Sequence, residues 1–239
     1  MRFYKGKNLL KYILCLCLFL NTLVLANDFE DFEQEYQKKE IEDSFYTYNK
    51  AMSKFNYDLY TYFLRPVALS YKSVVPSFVR TGVKNAFDTT RSPFRFINHL
   101  LSLEFRKAGE EFGRFCVNVI FGFGLLDSAS KTSLKSYEAD FGTTLGKWGV
   151  GSGPHLVLPV LGPYNVRDAL ALPVDWFMVP EGYIENFWVG VGVNATLKLN
   201  ELSFEHEKID DIYQNSVDYY TFIRDAYEQR RQELIKSRR

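Results

Sequence analysis

The sequence predicts a mainly α-helical protein, on three observations. Apolar and aromatic side chains recur at intervals of three and four residues over most of the chain, as on one face of an α-helix. No segment combines sustained apolar–polar alternation with a tight turn, the pattern of a β-hairpin. No strand–helix–strand order is present, which argues against a parallel sheet. The apolar side chains are therefore expected to pack, or to face a membrane, as amphipathic helices.

Residues 1–26 have the layout of a cleaved secretory signal peptide. Four basic residues and no acidic residue lie in positions 1–11, and a mostly apolar run follows as far as Ala26. A polar, acidic stretch begins at Asn27, directly after small side chains, so we expect cleavage there. The apolar run is shorter than the roughly 18–20 residues of a spanning helix, which makes an uncleaved anchor the weaker alternative.

The charge balance argues against nucleic-acid binding, and the aromatic content suits a boundary between apolar and polar surroundings. The chain has 29 basic and 29 acidic residues, and the signal peptide holds several of the basic ones. A nucleic-acid binder would need a basic surface, so none is predicted. Residues 27–44 form a charged N-terminal arm, which precedes a single helical domain at 45–236. Aromatic residues reach 17% of the chain, and their rings favour boundaries between apolar and polar surroundings.

Prolines and the helical spacing set the boundaries of the predicted elements. Pro66 ends the first helix, Pro76 ends the second, and Pro93 begins a later one. The predicted helices are Phe45–Leu64, Val67–Val75, Ser77–Phe87, Pro93–Leu101, Leu103–Phe121 and Phe204–Arg238.

Three uncharged runs, Phe115–Leu126, Leu156–Leu161 and Asn186–Leu197, are too short to span a bilayer as helices. They fit either helices inside an ordinary core or helices lying flat in a membrane interface, and the spacing leaves both open. Aromatic residues in apolar surroundings favour the interface. The membrane-interface candidates are Trp148, Trp176, Phe177 and Trp188.

The sequence lacks the familiar motifs of catalytic and metal sites. There is no G-x-S-x-G elbow, no H-E-x-x-H pair and no phosphate-binding loop with its lysine. The three histidines are far apart, and Cys116 lies in an apolar helix where packing is its ordinary role. The sequence therefore predicts no enzyme, no cofactor and no metal.

A glycine-rich stretch offers a candidate hinge. Gly149, Gly151 and Gly153 occupy alternate positions and are followed by Pro154. Glycine permits backbone angles that other residues avoid, whereas proline stiffens the chain. The pattern therefore fits a hinge or gate, although a static loop fits it equally well.

Three long motifs of the chain are distinctive: RFCVNVIFGFGLLDSAS (Arg114–Ser130), FGTTLGKWGVGSGPHLVLPVLGPYNVRDAL (Phe141–Leu170) and YTFIRDAYEQRRQELI (Tyr220–Ile235). In this order they resemble the MlaA/VacJ family of outer-membrane phospholipid-transport proteins, and Phe141–Leu170 carries the resemblance most clearly. The match covers residues 44–235.

The resemblance implies a compact disc or ring of amphipathic helices in one leaflet of the outer membrane, around an amphipathic channel. Phospholipid mislocalised to the outer leaflet would pass through it to a periplasmic carrier protein. The implied partners are phospholipid, an outer-membrane porin trimer and that carrier. A porin-associated scaffold that conducts no lipid is the alternative.

The same family-like segments contain polar residues that are candidates for lining the channel or binding headgroups. These candidates are Asn98, Arg114, Asn118, Arg167 and Asp168. In the alternative interpretation, arginines serve as structural partners of aspartates. These would be Arg65, Arg80 and Arg167 paired with Asp127 and Asp168.

The expected lipid anchor of the family has no counterpart here. Family members are typically acylated on a cysteine just after the signal peptide, but Ala26 and Asn27 occupy that junction. The protein is therefore expected to be exported, unlipidated and held on the periplasmic-leaflet side of the outer membrane by its own apolar surface.

Overall fold

The computed structural model of the chain describes residues 43–236. The predicted signal peptide (1–26) and nearly all of the predicted arm (27–44) lie outside the described residues. As predicted, the described part is mainly helical. Its helices are α1 (Tyr46–Leu59), α2 (Arg65–Val74), α3 (Ser77–Leu101), α4 (Phe105–Gly122), α5 (Phe141–Lys147), α6 (Val166–Met178), α7 (Phe187–Asn215) and α8 (Tyr219–Lys236).

A π-helical turn, Tyr60–Leu64, joins α1 to α2. Pro66 has no amide hydrogen, and the wider turn directly before it absorbs the break in the hydrogen-bond ladder. Within this turn the Arg65 amide donates to the Tyr60 carbonyl, five residues earlier. The first α-helix does end before Pro66, as predicted, but at Leu59, and the π-helical turn keeps the chain helical into α2. The prediction that the next one ends before Pro76 is confirmed.

Pro93 lies inside α3, so the predicted separate helices Ser77–Phe87 and Pro93–Leu101 form one continuous helix. Side chains brace the turn before the proline: the Ser92 hydroxyl (3.2 Å) and the Arg95 guanidinium (3.0 Å) both donate to the Asp88 carbonyl. The polar side of α3 also packs along α4, and this tertiary contact outweighs the cost of the proline.

A short antiparallel hairpin, β1 (His155–Leu158) and β2 (Gly162–Asn165), follows α5. The helical interpretation of the Leu156–Leu161 run is therefore wrong. A run of this length does not distinguish a strand from a helix by periodicity alone. The connecting turn uses left-handed backbone angles, with a φ of 96° at Gly162 and 69° at Val160.

Two asparagine side chains of α1 hold the free edge of β1. Each donates to one hairpin carbonyl and accepts from one hairpin amide, as a neighbouring strand would. The bonds join Asn49 Nδ2 to His155 O (3.0 Å), Val157 N to Asn49 Oδ1 (2.8 Å), Asn56 Nδ2 to Leu158 O (2.9 Å) and Val160 N to Asn56 Oδ1 (2.7 Å). The last bond fixes a β-branched residue at positive φ, a strained conformation.

The carboxy-terminal region contains two helices instead of the predicted single helix Phe204–Arg238. The chain between α7 and α8 leaves the helical conformation at Ser216, whose ψ is 134°. The α7 helix takes in the Asn186–Leu197 run, for which a helix was expected, and continues through Asn215. Asn186 caps its start by accepting hydrogen bonds from the amides of Trp188 and Val189.

The described residues place polar side chains inside and large apolar side chains outside. Among buried residues, nine are hydrophobic and 24 are polar or charged. Conversely, Phe123 is 85% exposed, Tyr62 is 80% exposed and Trp188 is 77% exposed. Soluble proteins bury such side chains and expose their charges, so this distribution is inverted.

The apolar core of the described part is correspondingly small. Tyr60, Ala68 and Leu202 form it, between α1, α2 and α7, with Leu199 and Ile209 packed against them. Within residues 43–236, no helix combines the length and apolar composition needed to cross a membrane.

Replacing Asn49 with alanine is expected to lower the free energy of unfolding by about 2–4 kcal/mol. The change leaves the His155 carbonyl and the Val157 amide without their partners in a buried site. Thermal unfolding of the purified protein in detergent, followed by circular dichroism, measures the loss. Lys54→Ala, an exposed change on the same helix, should unfold at the wild-type temperature. Equal losses in the two variants would contradict the role of Asn49.

Candidate functional site

The glycine segment, Gly149–Gly153, begins at the end of α5. That helix starts with a capping box between Asp140 and Thr143, and it ends where the Val150 amide donates to the Leu145 carbonyl at 3.0 Å. Gly149 occupies the left-handed position of this closing turn, with a φ of 95°. The first glycine of the predicted hinge is therefore a helix-terminating residue.

Hydrogen bonds to the start of α6 hold the backbone of the glycine segment. Arg167 contributes twice, because its Nη1 donates to the Val150 carbonyl (3.2 Å) and its amide donates to the Ser152 carbonyl (3.0 Å). The Pro154 carbonyl accepts from the Val166 amide at 3.1 Å. These bonds alternate along the segment and fix it at every second residue.

Gly151 lies between the fixed positions. Open space surrounds the place where its Cβ would be, and its backbone needs no left-handed angle. Gly153, by contrast, has a φ of 66° and would bring a Cβ to 3.2 Å from Val166 Cβ. Movement of the segment remains a prediction. Gly151 is the glycine of the three at which neither neighbouring atoms nor the backbone angle constrains the residue.

An ionic network lies beside the segment and connects α6 with α8. Asp168 accepts from Arg167 Nε at 2.8 Å and from the Tyr227 hydroxyl at 2.7 Å. Arg231 Nε lies 2.7 Å from the other side of the same carboxylate. Burial raises the pKa of the Asp168 carboxyl, but the two arginines lower it by a larger amount. The pKa of Asp168 therefore lies below its ordinary value.

Asp140 brings the start of α5 into this network. Its two carboxylate oxygens accept from Arg231 Nη1 (2.5 Å) and Nη2 (2.8 Å). Such a two-pronged contact fixes both position and orientation. Gly142 permits it, because a Cβ there would collide with Asp168 and would lie 2.8 Å from Arg231 Nη2. We call Asp140, Arg167, Asp168, Tyr227 and Arg231 the arginine–aspartate network.

A cavity of about 200 Å³ opens against the network. We call it the acidic cavity. It is lined by Asp140, Leu161, Pro163, Tyr164, Asp168, Leu172, Asp175, Tyr227 and Arg231. Burial, together with the charges of Asp140 and Asp168, raises the pKa of Asp175 to about 7, although a hydrogen bond from the Phe141 amide lowers it.

Two of the predicted channel residues lie on α4, where they hold the following loop. Arg114 Nη2 donates to Asp127 Oδ1 at 2.8 Å, and its Nη1 donates to the Leu134 carbonyl at 3.1 Å. Asn118 accepts from the Ala129 amide at 2.8 Å. Both side chains therefore have structural contacts, and the structural partner of Asp127 is Arg114 instead of Arg65 or Arg80.

The remaining channel candidates fall into two groups. Asn98 is fully buried on α3, where its Oδ1 accepts from the Thr144 hydroxyl at 2.8 Å. Arg167 and Asp168 pair with each other, as the structural alternative predicts. The structure thus brings only Arg167 and Asp168 to the glycine segment. Lining of a channel stays a prediction for all five candidates.

All four membrane-interface candidates are exposed: Trp148, Trp176, Phe177 and Trp188. The Trp148 ring still satisfies its polar atom, because Nε1 donates to the Leu101 carbonyl at 2.9 Å. An exposed aromatic body with a paired nitrogen suits a boundary between apolar and polar surroundings.

Sequence reasoning did not identify Asp140, Asp175, Tyr227 or Arg231. One of them carries a local signal, because Asp140 stands three residues before Thr143 in the pattern of a helix cap. The other three acquire their partners only when α5, α6 and α8 meet, and helical spacing alone does not reveal such contacts.

Gly149→Ala is expected to lower the free energy of unfolding by about 1–2 kcal/mol, because alanine is strained in the left-handed conformation. Gly151→Ala is the matched control and should leave stability unchanged or slightly raised, since neither backbone angle nor space opposes it. Thermal unfolding of both variants measures the difference. If Gly151→Ala proved as damaging as Gly149→Ala, the assigned backbone roles would be wrong.

Comparison with known proteins relates this fold to a family. A model described as MlaA lipoprotein matches residues 41–234. The intermembrane phospholipid transport system lipoprotein MlaA of Haemophilus influenzae is 31% identical over 202 residues, 81% of this chain and 79% of that protein. The protein of the same name from Escherichia coli is 32% identical over 189 residues, 77% of this chain and 74% of that protein.

A solved structure agrees with these matches. It is described as "Structural basis for maintenance of bacterial outer membrane lipid asymmetry", and its TM-score to this chain is 0.72 at 30% identity. The alignment covers 81% of this chain and 99% of that chain. The family predicted from the sequence motifs is confirmed: the chain belongs to the MlaA lipoprotein family.

Proposed function

We propose that the protein removes mislocalised phospholipid from the outer leaflet of the outer membrane and passes it to a periplasmic carrier. Family membership supports a role in outer-membrane lipid asymmetry, and the relatives are named as parts of an intermembrane phospholipid transport system. The family is a lipid-transport component, in keeping with a protein that catalyses no reaction. The route through an amphipathic channel, in a disc or ring of helices, is the finer part of the proposal.

One observation carries the proposal: polar side chains are inside and large apolar side chains are outside. Such a surface is costly in water but favourable against lipid tails. No helix within residues 43–236 is long and apolar enough to cross a membrane, so the apolar surface fits a position within one leaflet. In this arrangement a lipid from the outer leaflet would reach the periplasmic face of the protein by passing through its polar interior.

The polar interior supplies groups for a headgroup, and the exposed apolar side chains supply a surface for acyl chains. The glycine segment adjoins Arg167 and Asp168, which makes it the proposed hinge of the path. Gly151 is its proposed pivot, between the fixed carbonyls of Val150 and Ser152.

The location and partners follow from the same reasoning. Membership of the family implies association with the outer membrane. We place the protein on the periplasmic-leaflet side, exported and without acyl chains, because Asn27 occupies the junction where a lipidated cysteine is expected. A porin trimer would contact its apolar surface, and a soluble carrier would receive the lipid at its periplasmic face.

A porin-associated scaffold that conducts no lipid is the second candidate. The contacts of Asn98, Arg114 and Asn118 favour it, since each of these side chains has structural partners and needs no lipid to satisfy it. In this alternative the apolar surface would pack against protein.

Replacing Phe187 and Trp188 together with serine is expected to weaken binding to phospholipid vesicles by about 100-fold or more. Both rings are exposed at the start of α7, and each contributes roughly 1.5–3 kcal/mol when buried in an apolar phase. Flotation of purified protein with vesicles measures the partition. Glu201→Ser with Lys198→Ser, exposed on the same helix, is the control. Unchanged flotation of the aromatic variant would argue against a lipid-facing surface.

The transport proposal is tested in Escherichia coli that lacks its own MlaA. Expression of this chain should lower outer-leaflet phospholipid, measured by mass spectrometry after intact cells are labelled with an impermeant amine reagent. Gly151→Pro should fail to lower it, because proline restricts φ to about −65° and removes the amide hydrogen. Gly151→Ala should act like the wild type. A chain that reaches the outer membrane and leaves the leaflet unchanged would favour the scaffold.

A further inference from the structure

One carboxylate of the acidic cavity, Asp175, makes no salt bridge with a described residue, although Arg231 lies near enough to lower its pKa. Asp140 is held by Arg231, and Asp168 is held by Arg167, Arg231 and the Tyr227 hydroxyl. Asp175 differs: its Oδ1 accepts from the Phe141 amide at 2.8 Å, and the structure assigns no ion pair to it among the described residues. No described residue donates to its second oxygen, which can therefore accept from a ligand.

The charges around the cavity do not balance. Three carboxylates, Asp140, Asp168 and Asp175, face two guanidinium groups, and both guanidinium groups are engaged by the first two carboxylates. Partial burial and the neighbouring charges of Asp140 and Asp168 make ionisation of Asp175 costly and raise its pKa to about 7, although Arg231 lowers it in part. A cation bound beside Asp175 would remove that cost.

The walls of the cavity suit an organic cation. Tyr164 and Tyr227 line it with ring centroids 6.1 Å apart, and aromatic faces attract ammonium groups. Leu161 and Leu172 provide an apolar lining for attached methylene groups. The volume of about 200 Å³ compares with about 30 Å³ for one water molecule, so a group of several heavy atoms fits.

Two other ligand classes fit less well. A metal ion prefers several protein ligands, and residues 43–236 contain no group of three His, Cys, Asp or Glu side chains placed to hold one. An anion would need a free donor, but Arg231 is 8% exposed and already lies between Asp140 and Asp168. The net negative lining opposes an anion as well.

We propose that the acidic cavity binds an organic ammonium group, with Asp175 as its counter-ion and the rings of Tyr164 and Tyr227 as its walls. The ammonium belongs either to a phospholipid headgroup or to a free amine. The headgroup source rests on the proposed transport function, whereas binding of the ammonium does not. If the headgroup is the source, the cavity discriminates amine-bearing phospholipids from those without an amine.

The first experiment uses ethanolamine and the full chain in a sugar-based detergent that carries no amine. Calorimetry should detect binding to the wild type and at least tenfold weaker binding to Asp175→Asn. That variant keeps an oxygen to accept from the Phe141 amide, so its fold is preserved. Tyr164→Leu should also weaken binding. Glu185→Gln, which removes an exposed carboxylate, is the matched control and should bind as the wild type does.

The pH dependence has a defined sign. Only the ionised form of Asp175 binds the ammonium, and protonation of the carboxylate removes its negative charge. With a pKa of about 7, the affinity for ethanolamine should therefore fall about tenfold from pH 8 to pH 6. The groups facing it are Asp140 before α5, Tyr164 on β2, Asp168 on α6, and Tyr227 and Arg231 on α8. Asp175→Asn should show no such fall. A fall of equal size in this variant would assign the effect to another group and overturn the role of Asp175.

The second experiment identifies the source of the ammonium. The protein is incubated with vesicles that contain equal amounts of phosphatidylethanolamine and phosphatidylglycerol, and the retained lipid is quantified by mass spectrometry. Enrichment of phosphatidylethanolamine that Asp175→Asn abolishes supports the headgroup. Ethanolamine binding without enrichment supports a free amine. If ethanolamine does not bind and both lipids are retained equally, the proposed ammonium site is overturned while the proposed transport function stands. If neither lipid is retained, the result counts against the transport function itself.

Discussion

The pairing of Asp168 with Arg167 and Arg231 is the interaction on which the candidate site depends. It joins α6 to α8, and the contact of Arg231 with Asp140 adds the start of α5. Arg167 in turn holds the backbone of the glycine segment. Removal of one charge would leave its partner buried and uncompensated, which is far more costly than the loss of an exposed ion pair. Three parts of the chain thus take their positions from one connected set of charges.

The inverted distribution of side chains explains why such pairs are needed. A protein associated with the outer membrane gains little from burying apolar side chains away from lipid, because lipid tails are equally apolar. Helices then associate through hydrogen bonds, ion pairs and close packing. The asparagines that hold the hairpin, the Arg114–Asp127 pair and the Asn98–Thr144 bond are examples. The polar residues of this fold largely perform the task that leucine and valine perform in a soluble core.

Features that depend on neighbours in the sequence, such as helices and their ends, could be predicted from the sequence. Features that depend on contacts between distant parts of the chain could not. Helical spacing identified most of the helices and Pro76 marked an end correctly, because these depend on neighbours within a few residues. The hairpin escaped prediction because the edge of β1 is completed by asparagines on α1. A helix break was wrongly predicted near Pro93, because the packing of α3 against α4 outweighs the local tendency of proline to interrupt a helix. Asp175 carries no sequence signal, since its surroundings are a cavity that forms only when separate elements of the chain come together.

The asparagine support of the hairpin has a consequence for the order in which the chain folds. Asn49 and His155 are separated by 106 residues, and Asn56 and Val160 by 104. Closing so long a loop is slow compared with forming α1, whose contacts are local. A chain that emerges amino end first therefore exposes both asparagines to water long before their partners exist. The hairpin closes late, and until then the wall it contributes to the acidic cavity is missing.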